Sequence, residues 1–77
     1  MAKYNGWTNY ETWNANLWPM NEEDAYRTVM AGRPYTAQSA HEMMEDLYPE
    51  GTPDMDGPQD YDKVDWQEIV AAWNEEA

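Results

Sequence analysis

The sequence predicts an all-α protein: one small domain spanning residues 1–77, built of about four short amphipathic helices, with an acidic Pro/Gly-rich loop at 49–63 before the last helix. Two observations carry this. Four segments repeat apolar residues at helical rather than alternating spacing, and each is bracketed by residues that start or stop helices. A chain of 77 residues also has room for only one core.

In the first segment, Thr8 followed by Glu11 fits a capping box, and Pro19 is expected to end the helix. Tyr10, Trp13 and Leu17 fall at i, i+3 and i+7, which predicts that they point inward with Thr12 and Ala15 on the opposite side. The second segment, EEDAYRTVMAG, has Asn21 as its expected cap and acids in its first turn, where the helix dipole favours negative charge. Gly32 and Pro34 close it, and Arg27 can pair with Glu23 or Asp24 on its outer side. The third starts at Thr36, carries the stripe Ala40, Met43, Met44 and Leu47, and stops before Pro49. Residues 49–63 hold three prolines, two glycines and five acids and predict turns with no regular element. Asp65 and Glu68 then open a last helix with a complete stripe of Trp66, Ile69, Val70 and Trp73.

The core must be dense in a domain this small, and five Trp, six Tyr and six Met supply the bulk. Trp66, Trp73 and Trp13 are expected in the core. Trp7, ahead of a helix, and Trp18, before a proline, are expected to be partly exposed.

The absence of cysteine excludes disulfides, thiol nucleophiles and Cys-ligated zinc. Asp-x-Asp-Gly at 54–57 suggests a calcium loop, but with Gly57 at position six the first and twelfth ligands fall on Thr52 and Lys63, so no metal is expected. Ser39 and His41 point to different faces of one helix, which gives a nucleophilic dyad no geometry, and His41 is expected to be an exposed helix residue. The expectation is a non-enzyme without a cofactor. The start, MAKYNGWTNYE, has no apolar signal region and no run is long enough to span a membrane, so the cytoplasm is the expected compartment.

Charge is the strongest compositional signal. Sixteen acids against four bases give −12, and the excess is lopsided: residues 1–40 carry four acids against Lys3, Arg27 and Arg33, whereas residues 41–77 carry twelve against Lys63 alone. Such a surface repels nucleic acid and anionic membranes and favours a basic partner. Glu42, Glu45 and Asp46 on one helix face, Glu50, Asp54, Asp56, Asp60 and Asp62 in the loop, and Asp65 and Glu68 at the last helix are the candidate partner-binding residues. DNA offers its own partners a row of anions about 3.4 Å apart along each strand, and a protein copying that row could occupy a nucleic-acid channel.

WTNYETWNANLW at 7–18 and VDWQEI at 64–69 resemble a small family carried by phages and other mobile elements, whose opening reads W-T-N-x-E-T-W-x-x-x-L-W. Taken with its size, charge and lack of cysteine, the chain looks like an anti-CRISPR protein. That resemblance implies an inhibitor that binds the nucleic-acid-binding surface of a type I Cascade surveillance complex, with type I-C the subtype it suggests, and blocks target DNA. An antirestriction or repressor-binding DNA mimic, and a helical interaction module working through exposed aromatics such as Trp7 and Trp18, are the other classes the residues allow.

Overall fold

The computed structural model describes residues 4–75; Lys3 and the rest of the first three residues, with Glu76 and Ala77, lie outside them. Four helices follow in order: α1 (Tyr10–Asn21), α2 (Glu23–Ala31), α3 (Ala37–Leu47) and α4 (Trp66–Glu75), with a 3-10 helix at Pro58–Lys63 between the last two. α1 packs on α2, on α4 and on the 3-10 helix, and α3 packs on α4. Ala15, Val29, Tyr35, Ala40, Met44, Tyr61, Val64, Ile69 and Trp73 form one core to which every helix contributes. The fold is all-α, as predicted. No helix among the described residues is long and apolar enough to cross a membrane.

α1 is turned the other way from the expectation. Its buried residues are Thr12, Asn14, Ala15 and Pro19, while Tyr10, Trp13 and Leu17 stay only half-buried and outside the core cluster. The inward polar groups are all bonded, which is what makes this orientation affordable. Thr12 Oγ1 donates to Asn9 Oδ1 (2.6 Å) and accepts from the backbone N–H of Asp65 (2.9 Å).

The start of α1 differs too. Its cap is Asn9, whose Oδ1 also accepts from Thr12 N (2.9 Å), while Asn9 Nδ2 reaches the carbonyl of Lys63 (2.8 Å). Thr8 faces α4 instead, its N–H donating to Glu68 Oε1 (3.0 Å) and its hydroxyl lying 3.4 Å from Asp65 Oδ2. Thr8, Asn9 and Thr12 therefore clasp the first turn of α1 to the entry of α4. Pro19 does not stop the helix: it lies buried inside α1, and Asn21 Nδ2 closes the last turn on the carbonyl of Leu17 (2.8 Å). Asn21 thus ends α1 rather than capping α2, whose N-cap is Glu22 with no side-chain cap bond. The Glu23–Arg27 pair forms, at 2.6 Å.

The third and fourth helices start as the sequence predicts. Thr36 and Ser39 exchange capping bonds at the head of α3, and Asp65 Oδ1 accepts from Glu68 N (3.2 Å) at the head of α4. Trp73 is buried, but Trp66 is half-buried at the edge of the core, its N–H donating to the carbonyl of Tyr61 (3.1 Å).

The 49–63 segment is more ordered than its prolines suggest. Tyr61 is fully buried, and its hydroxyl donates to the carbonyls of Tyr48 (2.7 Å) and Met44 (3.3 Å) at the C-terminal end of α3, which also accept the backbone N–H groups of Gly51 and Tyr48. Gly51, at φ +89°, lets the loop fold back so closely that a Cβ there would sit 2.9 Å from the carbonyl oxygen of Gly57.

Candidate functional site: an acidic face

α3 buries Ala40 and Met44 and turns Glu42, Glu45 and Asp46 to solvent on the opposite side. Two of these are steadied locally. Gln38 Nε2 donates to Glu42 Oε2 (3.1 Å), and His41 Nε2 lies 3.4 Å from Glu45 Oε2. His41 is not the exposed residue expected from its position. Its ring stacks on Trp66, centroids 4.7 Å apart and planes 11° apart, and meets Tyr61 edge-on at 5.7 Å. Packing on α4 thus fixes the imidazole that holds Glu45.

Beyond α3 the acids divide. Glu50, Asp56 and Asp62 are exposed. Asp54 is exposed but tied to α1: its Oδ2 accepts from Asn14 Nδ2 (3.1 Å) and from Trp18 Nε1 (3.0 Å). Asn14 is itself buried, and its Oδ1 accepts from the hydroxyl of buried Thr52. Asp60 departs from the expected acidic surface, being 7% exposed. It accepts from Asp56 N (3.0 Å) and pairs with Lys63 (3.5 Å), so it braces the loop. Asp65 and Glu68 are likewise engaged, by Thr8 and by the start of α4. Glu42, Glu45, Asp46, Glu50, Asp56 and Asp62 are therefore exposed carboxylates, whereas Asp60, Asp65 and Glu68 have structural work.

Two tyrosines under this face hold their protons strongly. Burial, and then the charge of Glu22, pushes the Tyr48 hydroxyl up to about 12. Tyr61 is raised further, by burial first and then by Glu45 and Tyr48.

Sequence reasoning missed Thr12, Asn14, Thr52 and Tyr61, whose buried polar groups hold the loop and α4 in place. The only sequence signal was negative: Asn14 interrupts the aromatic stripe of α1. Among the described residues there is no pocket, and no group of three or more His, Asp or Glu side chains is placed to hold a metal ion.

The family of unknown function DUF7249 matches residues 1–76. The chain belongs to this family. No curated protein and no solved structure matches it. The family match spans both the clasp of Thr8, Asn9 and Thr12 with Asp65 and the acidic face of α3, so this DUF7249 chain is covered by it almost end to end.

Proposed function

We propose that this protein is a binding inhibitor that sets the outer face of α3, with Glu50, Asp56 and Asp62, against a basic nucleic-acid-binding surface of another protein and keeps nucleic acid from it. One observation carries the reading. Lys63, the only Lys or Arg beside twelve acids in residues 41–77, leans on the buried Asp60, so this half of the sequence keeps a large excess of negative charge. An unbalanced field of this kind raises the rate of encounter with a basic partner and repels nucleic acid itself. The resemblance to anti-CRISPR proteins names the target class, the DNA-recruiting surface of a type I Cascade complex in the host cytoplasm.

A competition assay tests this. A labelled target duplex is bound to a purified type I surveillance complex and the protein is titrated in, with a restriction enzyme and a repressor on their own operators run alongside. Displacement of the duplex from the surveillance complex, weakening steeply with salt, and no binding of the protein to free duplex are expected. Displacement confined to the restriction enzyme or the repressor would move the target to that class, and retention of DNA by all three would overturn the reading.

A further inference from the structure

The aromatic stripe of α1 is half-buried and lies outside the core. α1 buries Thr12, Ala15 and Pro19 on one side, and at about 100° per residue Tyr10, Trp13 and Leu17 point roughly 160° away from them, with buried Asn14 at the edge of the stripe under Thr52 and Asp54. None of these three belongs to the core or packs against it. They are nevertheless organised. A turn with Asn5 at φ +51° and Gly6 at φ +90°, closed by reciprocal Tyr4–Trp7 backbone bonds of 2.7 and 2.8 Å, lays Tyr4 over the stripe. The Tyr4 ring lies 5.2 Å from Tyr10, edge-on, and 4.9 Å from Trp13, while Tyr10 and Trp13 are 5.6 Å apart. Tyr4 remains 41% exposed.

A carboxylate borders this cluster: Asp54 is held over α1 by Asn14 and Trp18. The Tyr10 hydroxyl is raised by desolvation first and then by Asp54, Tyr4 and Glu11. Clustered electron-rich rings with an anion at their border suit a cation, and a guanidinium best, because it is planar, weakly hydrated and stacks on Trp and Tyr. A second copy of the chain is a poor occupant: each carries −12, and pairing the stripes would bring Asp54 toward its own like charge.

We propose that the Tyr4–Tyr10–Trp13 face docks arginine side chains of a basic protein partner, a proposal that rests on the reading above for the partner's charge. The acidic face of α3 then draws the partner in, and the aromatic face distinguishes arginine from lysine.

Nona-arginine and nona-lysine peptides are the probes. Affinity is measured at about 0.3 M salt, where screening weakens simple charge attraction, and the indole N–H resonances of Trp13 and Trp18 are followed by NMR. Trp13→Ala and Tyr4→Ala, checked for an unchanged helical spectrum, should each weaken nona-arginine by about tenfold and nona-lysine by clearly less. Trp13→Phe should restore most of the loss. A combined Glu42→Lys, Glu45→Lys and Asp46→Lys variant should weaken both peptides alike. Equal losses for the two peptides in Trp13→Ala, or none, would overturn the arginine site while leaving the α3 reading intact. Loss in Trp13→Ala with none in the α3 variant would support the site and remove the α3 reading. A wild-type dimer in sedimentation that Trp13→Ala dissolves would make a second copy the occupant and overturn the proposal.

Discussion

The Thr12 hydroxyl accepts the backbone N–H of Asp65 at 2.9 Å across fifty-three residues of sequence, so the first turn of α1 fixes where α4 begins. Thr12 is fully buried. Thr12→Val keeps the shape but strands both the Asp65 N–H and one acceptor site on Asn9, a cost of about 1–3 kcal/mol. In a domain of this size that is a fall of several degrees in Tm, on the order of 4–8 °C per kcal/mol. Thr12→Ser should lose much less. An unchanged Tm in Thr12→Val would show that the clasp contributes nothing.

The orientation of α1 predicts a large difference between two tryptophans. Trp73 is 1% exposed, packs edge-on against Tyr35 at 5.1 Å and donates to Asn16 Oδ1 at 3.0 Å. Trp73→Ala should cost about 3–5 kcal/mol in urea unfolding. Trp13→Ala, outside the core, should cost about 1 kcal/mol, the scale of an aromatic surface contact. Equal costs would put Trp13 in the core and contradict the turned helix.

Alkaline pH should unfold the protein through its tyrosines. Tyr48, pushed up to about 12 by burial and Glu22, and Tyr61, raised higher by burial, hold their protons more firmly folded than unfolded. A raised folded pKa gives a contribution that is complete below the unfolded value of about 10 and is lost as pH climbs through the folded one. Tm should therefore fall from about pH 10 toward pH 12, and the fall should be shallower in Tyr48→Phe. A Tm that holds level across that range in the wild type would contradict these environments.

How much of this was legible depends on the range of the interactions. The heads of α3 and α4 are set by Thr36 with Ser39 and by Asp65 with Glu68, partners three residues apart, and both starts could be read directly. The facing of α1 could not. Tyr10, Trp13 and Leu17 are far more apolar than Thr12, Asn14 and Pro19, so periodicity selects the wrong side. What reverses it are distant partners, Asp65 for Thr12 and Thr52 and Asp54 for Asn14, which a local pattern does not contain. The acidic face divides in the same way. Glu42, Glu45 and Asp46 follow from helical spacing, whereas the burial of Asp60 depends on its bonds to Asp56 and Lys63.

The most direct test of the central claim is charge reversal on matched faces, read in the DNA-displacement assay across a salt series. One variant carries Glu42→Lys and Glu45→Lys; the other carries Glu23→Lys and Asp24→Lys, an equal change of charge on exposed residues at the start of α2. With helical spectra preserved, the α3 variant should need at least about tenfold more protein for half displacement and show a flatter salt dependence, while the α2 variant stays within about threefold of wild type. Equal weakening of the two would mean that net charge alone acts, and an unweakened α3 variant would contradict the claim that its carboxylates stand where DNA phosphates would.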